Sequence, residues 1–320
     1  MAAFTKEAQI KSISVRPEQR EGSESRIQPS NPSLRSGRTG LNLRLPNLST
    51  IFARAMTALA LLTGLAACAT MNNAAPEKNN TVDVVRALAP GGRLRAAINF
   101  GNPILANKDV KTGEPIGVSV DLARELGRRL NVPVDLVTFT AAGKVVEAVT
   151  ANEVSIAFVA IDPQRAVSTF YTAAYVVIEG AYLVRNDSPL KANEEVDRAG
   201  IRVAAAKGSA YDLYLSRELK NAKITHAPTS QAVTDTFLAQ GLEVAAGVKQ
   251  QLQMDAARVP GVRLLPGRFM VINQAMGTPI SRAAAGDYLK AFIEEMKASG
   301  FVAASLKRHG IQGAAVAEKM

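Results

Sequence analysis

The segment from Gly117 to Val137 constrains the fold more than any other part of the chain, because it predicts a helix leading into a buried strand. Apolar residues recur at the spacing of one helix face, with arginines on the other face, at Leu122, Leu126 and Leu130. Ser119 is suited to cap the start of this helix, and Asp121 places a negative charge in its first turn. The strand is predicted over 132–139.

The rest of the chain alternates short strand patterns with helical patterns, which indicates an α/β protein with mostly parallel sheets. Further strands are predicted at 93–99, 154–161, 201–206, 223–226 and 244–247. Helices are predicted at 119–130, 142–150, 209–220, 229–240, 282–299 and 301–309. Gly300 and Gly310 stand where the last two helices would stop. Two extended stretches, 175–185 and 269–278, separate the two strand series and are interpreted as crossings between two lobes.

The N-terminal part of the chain is interpreted as export signal and tether rather than as folded domain. Residues 1–50 carry few apolar residues, so we expect disorder or an overextended gene start. Residues 51–68 contain an apolar run that is shorter than the ~20 residues of a membrane span and is typical of a secretory signal. Its last residues, Leu-Ala-Ala-Cys68, resemble a lipobox, which predicts lipidation of Cys68; the alternative is ordinary cleavage with Cys68 incidental. A linker is predicted over 69–88.

Charge and cysteine content bear on two questions, whether the protein binds nucleic acid and whether it contains a disulfide. The formal net charge is +10, but residues 1–67 hold 9 Lys and Arg against 4 Asp and Glu, leaving 29 against 24 in 68–320. This mild excess lacks aromatic interleaving, so a nucleic-acid partner is not predicted. Cys68 is the only cysteine, which rules out an intramolecular disulfide.

The run from Gly113 to Leu122 is similar to the "G-x-P-x-G-x-x-x-D-L" signature of the family 3 solute-binding proteins of ABC importers, whose best-known members bind polar amino acids. The resemblance extends from about Gly91 to Gly313. It implies a two-lobed periplasmic binding protein type II fold with a hinge of two crossing strands. Lobe 1 would comprise 89–184 and 270–320, and lobe 2 would comprise 185–269. A ligand would lie between the lobes and be buried by hinge closure.

Arg165 is the residue that this resemblance assigns to a ligand carboxylate. The segment from Ala160 to Tyr175 is similar to the family's "T-x-T-x-x-R…F-S-x-P-Y" segment, although Ala160 replaces a hydroxyl residue and Ala174 a proline. A guanidinium fork suits a carboxylate because two parallel charge-assisted bonds fix its orientation. The alternative is that Arg165 pairs with Asp162 or lies solvated at a helix start.

In the second lobe, Gly208 and Ser209 resemble the family's "V-G-V-x-x-G-S/T" turn between a strand and a helix. Free backbone N–H groups and the Ser209 hydroxyl could there meet an anion. The alternative is a helix-capping serine and nothing more. No cofactor or metal ligand spacing is present, and His226 and His309, at the ends of elements, are expected in surface or capping roles.

The largest departure from the family pattern is Lys249. Amino-acid-binding members read "L-x-x-G-x-x-D-A-x-x-x-D", and their last aspartate holds the ligand ammonium; here that position is Lys249, which would repel an ammonium group. Asn99 stands for an acid at the end of the first strand, and Asn102 for the aromatic lid. Glu179, in the first crossing strand, is the acid expected near the ligand, or else an ion-pair partner of Lys249 or of a surface arginine.

These patterns predict a monomeric, periplasmic lipoprotein that captures a small carboxylate-bearing metabolite, an amino acid or an organic acid, for an ABC permease and ATPase. Cyclohexadienyl and arogenate-type dehydratases also resemble family 3 proteins, so an enzyme is one alternative, in which Glu179 would be the general acid. A sensory ligand-binding protein is another. Between these, we predict a binding protein and not an enzyme.

Overall fold

The computed structural model describes residues 78–319. The predictions of a disordered N-terminus, a signal peptide and a lipidated Cys68 therefore lie outside the described residues. Within them, the strands in chain order are β1 (Leu94–Asn99), β2 (Asn107–Lys108), β3 (Pro115–Ile116), β4 (Val134–Phe139), β5 (Ile156–Ala160), β6 (Thr169–Arg185), β7 (Arg202–Ala206), β8 (Lys223–Ala227), β9 (Val244–Val248), β10 (Val262–Leu264), β11 (Met270–Pro279) and β12 (Ala315–Val316). The helices are α1 (Lys78–Leu88), α2 (Val118–Leu130), α3 (Ala142–Thr150), α4 (Ala210–Glu218), α5 (Val233–Ala239), α6 (Lys249–Arg258), α7 (Gly286–Ala298) and α8 (Phe301–Arg308).

Ten of the strands in residues 78–319 form one sheet, whose main path runs β4-β1-β5-β11-β6-β9-β7-β8. At one end β1 pairs in parallel with β4 and β5, and at the other end β7 pairs in parallel with β8 and β9. We call the end of the sheet that contains β1, β4 and β5, with its helices, lobe 1. The end that contains β7, β8 and β9, with its helices, is lobe 2. The antiparallel strands β6 and β11 join them. These two strands contain the predicted crossings, and the predicted α/β fold with a hinge of two crossing strands is confirmed.

Helix α2 shows why the opening segment constrains the fold. Its three periodic leucines are at most 4 % exposed, so the predicted apolar face lies in the core. Gly117, just before the helix, has φ +123°, and a Cβ there would overlap the carbonyl oxygen of Leu105, so glycine is required. Ser119 does not cap the helix; its buried hydroxyl lies 3.1 Å from the phenol oxygen of Tyr175 on β6. The prediction for Ser119 is therefore wrong.

Asp121 ties helix α2 to the end of helix α8. One carboxylate oxygen accepts hydrogen bonds from Ser305 at 2.6 Å and Arg308 at 2.9 Å, and lies 2.9 Å from Nε2 of His309. Gly310 follows with φ +65°, the left-handed conformation expected where a helix stops. The signature aspartate thus anchors the C-terminal part of the chain.

The predicted linker 69–88 is wrong over its second half, because residues from Lys78 form helix α1. Val84 and Leu88 on this helix are at most 2 % exposed and belong to the main core. The carbonyl oxygen of Ala87 also accepts a hydrogen bond of 2.7 Å from Arg282. Helix α1 is therefore part of the folded domain and not a tether.

Candidate ligand-binding cleft

A cavity of about 30 Å³ lies between the carboxyl ends of β1 and β5 in lobe 1 and the start of helix α4 in lobe 2. Five of the predicted site residues line it, namely Asn99, Asn102, Ala160, Arg165 and Ser209. The remaining three, Gly208, Lys249 and Glu179, do not. A volume of this size holds about one or two water molecules, so a metabolite requires the lobes to separate.

Arg165 bridges the two lobes with its guanidinium group. It is 3 % exposed, and its Nη1 donates to the carbonyl oxygen of Ala160 in lobe 1 at 3.0 Å, while its Nη2 donates to that of Gly208 in lobe 2 at 2.8 Å. Burial lowers the pKa of Arg165, yet a guanidinium stays charged at neutral pH. The alternative pairing with Asp162 is not what the structure shows, since Asp162 lies 2.9 Å from Nη1 of Arg217.

The turn before helix α4 is organised by Asp212. The N–H of Gly208 donates to the Asp212 carboxylate at 2.7 Å, and the N–H of Asp212 donates to the Ser209 hydroxyl at 3.0 Å. Ser209 is therefore a helix cap, as the alternative interpretation held, although it also lines the cavity. The predicted role of the Gly208 N–H toward a ligand is wrong in this arrangement, because that group is already bonded. His226 lies 2.9 Å from the other Asp212 oxygen.

Lys249 lies at the hinge and does not line the cavity. Its Nζ donates to Glu179 on β6 at 2.8 Å, and Arg268 donates to the other oxygen of the same carboxylate at 2.6 Å. We call these three residues the hinge triad. The expectation that Lys249 sets selectivity by facing the ligand is wrong, because Glu179 neutralises it, and the neighbouring Val248 lines the cavity instead.

Glu179 likewise does not line the cavity, so it lies outside the candidate site. The hydrogen bond from Lys249, together with that from Arg268, lowers its pKa. A carboxyl group held ionised is poorly suited to be a general acid. The dehydratase alternative therefore loses the residue assigned to it.

Two asparagines of lobe 1 contribute amides where the family pattern has an acid and an aromatic ring. The side-chain oxygen of Asn99 accepts a hydrogen bond of 2.9 Å from the N–H of Gly101 and so shapes the loop after β1. Asn102 is 8 % exposed, and its side-chain oxygen is buried without any hydrogen-bond partner. Asn102 thus lines the cavity and holds a buried acceptor that has no hydrogen-bond partner.

Residues 95–311 match the bacterial extracellular solute-binding proteins, family 3. The chain belongs to this family. A search of curated protein sequences gave no match. Members of family 3 are extracytoplasmic binding proteins, and within residues 78–319 of this member no helix is long and apolar enough to cross a bilayer.

Three solved structures illustrate the uses of this fold. The solute receptor for L-cysteine of Neisseria gonorrhoeae has a TM-score of 0.62 at 19 % identity, covering 70 % of this chain and 92 % of its own. The ancestral amino-acid-binding protein AncCDT-1, a precursor of cyclohexadienyl dehydratase, has a TM-score of 0.60 at 19 % identity, covering 72 % and 100 %. A histidine kinase sensor domain has a TM-score of 0.61 at 16 % identity, covering 72 % and 98 %. At these identities the likeness shows the fold alone.

Among the residues that line the cleft of this family 3 protein and that sequence reasoning missed, three have polar side chains, namely Tyr211, Ser230 and Gln274. The phenol of Tyr211 donates to the Ser230 hydroxyl at 3.0 Å, and burial raises the pKa of Tyr211 to about 12. Gln274 lies in β11, where seven of ten residues are buried, so no alternation of polar and apolar residues marks the side that meets the cleft.

Two further contacts hold the lobes of this family 3 protein together around the cleft. Asp162, after β5, is 2.9 Å from Arg217 of helix α4, although the N–H of Arg217 is not aligned as a hydrogen bond. The Gln231 amide of lobe 2 donates to the carbonyl oxygen of Phe100 in lobe 1 at 2.7 Å. With Arg165, these contacts describe a closed arrangement of the two lobes.

Proposed function

We propose that this protein is an extracytoplasmic receptor that binds a small carboxylate-bearing metabolite between its lobes and delivers it to an ABC permease and its ATPase. The observation that carries the proposal is the buried guanidinium of Arg165, placed between the lobes at the cavity wall. A buried cation requires an anionic or strongly polar partner, and a small carboxylate supplies one.

The contacts of Arg165 indicate how binding and closure are coupled. Two of its five N–H groups donate to carbonyl oxygens, one in each lobe, and no other hydrogen bond of this side chain is formed within residues 78–319. A carboxylate entering the open cleft would accept from the guanidinium while the hydroxyls of Ser209 and Ser230 approach from lobe 2. Closure then buries the ion pair and raises its strength.

The location of the protein belongs to the same proposal. The apolar run that precedes Cys68 directs export, and lipidation of Cys68 anchors a monomeric receptor at the periplasmic face of the membrane. Membership of an extracytoplasmic family supports this location. We infer that the protein binds its ligand without turning it over, since the general acid considered for a dehydratase, Glu179, lies outside the cleft and is ion-paired.

A thermal-shift screen of the full-length protein tests the proposal. Amino acids, hydroxy acids, keto acids, dicarboxylates and aromatic acids are each added, and a true ligand at 100 times its dissociation constant raises the free energy of unfolding by about 2.7 kcal/mol. The Arg165→Ala variant should lose the shift. The matched control is Arg263→Ala, since Arg263 also donates to two backbone carbonyls but lies outside the cleft. Failure of every carboxylate to shift the wild type would contradict the proposal.

Uptake distinguishes import from sensing. Cells lacking this gene should take up the radiolabelled ligand more slowly than the parent, and the full-length gene should restore the rate. Unchanged uptake together with a lost transcriptional response to the ligand would favour a sensory role, for which the likeness to a histidine kinase sensor domain is the supporting observation.

A further inference from the structure

We infer that the ligand of this cleft is a carboxylate whose second polar group is an uncharged hydrogen-bond donor, a hydroxyl or an amide N–H, and not an ammonium group. The inference rests on the proposed function and narrows it from carboxylate metabolites in general to hydroxy acids and related neutral-donor acids. It follows from the charge of the cavity wall and from one buried acceptor.

The cavity wall carries a positive charge without a compensating acid. Of the residues within 78–319 that line the cavity, Arg165 is the one with a charged side chain. The buried acids near the cleft have other partners. Asp162 lies 2.9 Å from Arg217, and Asp212 accepts a hydrogen bond from the Gly208 N–H and lies 2.9 Å from His226. An ammonium group entering this wall would be buried beside a cation, and none of the residues that line the cavity supplies a carboxylate to pair with it, which is unfavourable.

The hinge triad does not supply the missing acid. It contains two cations, Lys249 and Arg268, against the single carboxylate of Glu179. Lys249 holds the position at which the resemblance would place an ammonium-binding aspartate, and its side chain turns to the hinge. The acid expected for an α-amino group is thus absent from residue 249, and no other residue of 78–319 that lines the cavity supplies one.

Asn102 specifies what takes the place of the ammonium. Its side-chain oxygen is buried without a hydrogen-bond partner at the cavity wall, and leaving such an acceptor unsatisfied is costly. The oxygen of Asn99 is already satisfied by Gly101, whereas Asn102 and Gln274, which also lines the cavity, bring neutral amide acceptors that Gly101 does not occupy. A neutral amide oxygen can accept from a hydroxyl or an amide N–H without having to offset a full positive charge. The pair of Arg165 and Asn102 therefore fits a carboxylate with an adjacent uncharged donor.

Matched pairs of acids that differ only in this group test the inference by calorimetry on the full-length protein. The pairs are L-lactate and L-alanine, L-2-hydroxyisocaproate and L-leucine, L-phenyllactate and L-phenylalanine, and L-2-hydroxyglutarate and L-glutamate. In every pair that binds, the hydroxy acid should bind at least tenfold more tightly. An amino acid that binds as tightly as its hydroxy partner would overturn the inference and leave the proposed function standing. Binding of none of these acids, when the thermal-shift screen has found another carboxylate ligand, would overturn the inference alone, whereas failure of every carboxylate in that screen would overturn both.

Substitution of Asn102 provides a second readout. Asn102→Asp should raise the affinity for the amino acid of the pair about tenfold and lower that for the hydroxy acid by a similar factor, because it adds the missing negative charge. Asn102→Ala should weaken the hydroxy acid alone. The control is Asn193→Asp, since Asn193 also has a buried side-chain oxygen without a partner but lies outside the cleft. Unfolding curves check that each variant folds, and an unchanged preference in folded Asn102→Asp would overturn the assignment.

Discussion

Arg165 combines two tasks that a single sequence motif does not separate. Its guanidinium is placed to bind a carboxylate, and in the closed arrangement it also joins Ala160 of lobe 1 to Gly208 of lobe 2. Both tasks depend on the planar fork of five N–H groups. A point charge on a flexible stem would supply the charge without the geometry.

Arg165→Lys should therefore weaken ligand binding by about 1.5–3 kcal/mol, roughly 10- to 100-fold, because the charge remains while the bidentate contact is lost. The free energy of unfolding should change much less. Calorimetry with the ligand found by the thermal-shift screen measures the first quantity, and urea unfolding the second. Arg263→Lys is the control and should leave the affinity unchanged. Wild-type affinity in Arg165→Lys would show that the ligand is not bound through two hydrogen bonds from the guanidinium group.

Individual serines show how far local patterns predict the site. Ser209 follows a strand and precedes a helix, so the sequence alone indicates a cap, and the hydrogen bond from Asp212 is of that kind. Ser119 has an equally suitable position, yet its hydroxyl meets Tyr175, which is 56 residues away. A hydroxyl at a helix start can serve its own backbone or a packed neighbour, and only the tertiary structure decides between them.

At the scale of elements, the hinge triad corrects the interpretation of Lys249. The sequence gives the residue type at the start of helix α6 but not the direction of its side chain, which depends on the distance to β6 and on the acid carried there. The two extended stretches are local patterns and were predicted as crossings. The ion pair between helix α6 and β6 instead joins residues 70 positions apart, so no local pattern determines it.

Lys249→Ala should lower the free energy of unfolding by about 1 kcal/mol or less, since both partners are partly exposed and Glu179 retains Arg268. The preference between hydroxy and amino acids should not change. Urea unfolding and the paired calorimetry measure these two effects. Lys144→Ala is the control, because Lys144 also pairs with a glutamate but both are well exposed, and its effect should be near zero. A reversed ligand preference in Lys249→Ala would show that Lys249 acts on the ligand in the cleft.

Glu125, on helix α2, gives the protein a pH-dependent stability. It accepts hydrogen bonds from Arg128 and Arg129, and Arg129 also pairs with Glu295. The hydrogen bond from Arg128, with the contribution of Arg129, lowers the pKa of Glu125 from 4.5 to about 2. A depressed pKa in the folded protein stabilises it above the unfolded value and loses that effect as the pH falls.

The contribution of Glu125 should thus be complete above about pH 4.5 and disappear toward pH 2. We expect about 1 kcal/mol or less, because the Arg128 side chain is 70 % exposed and both ion pairs lie within one helix. In urea unfolding, Glu125→Gln should be less stable than wild type at pH 7, with the two converging as the pH approaches 2. Glu147→Gln, at an exposed pair, is the control. A difference that does not shrink with falling pH would exclude this linkage.

For the whole molecule, the alternation of elements predicted most of the sheet, since strand and helix periods are local properties of the sequence. Helix α3 begins and ends at the predicted residues 142 and 150. Helix α1 was missed because its sequence is polar and only Val84, Val85, Leu88 and their neighbours meet the core. The separation of the lobes, and hence which cleft residues meet, depends on long-range contacts that no local period encodes.

The closed arrangement of the lobes depends in part on the ion pair between Asp162 and Arg217. Asp162 is almost fully buried, whereas the Arg217 side chain is 35 % exposed, so the pair contributes about 1 kcal/mol to closure after allowance for solvent. A receptor whose closed form binds the ligand loses affinity by the factor by which that form is depopulated.

Arg217→Gln should therefore weaken binding about fivefold, mainly through faster dissociation, and should increase the radius of gyration of the ligand-free protein in solution scattering. Stopped-flow dissociation and X-ray scattering measure these effects. Arg198→Gln is the control, because Arg198 pairs with Glu195 within lobe 2 and should affect neither. Unchanged dissociation and an unchanged radius in Arg217→Gln would show that Arg165 and Gln231 suffice to hold the lobes, and would leave the Asp162 pair without a role in closure.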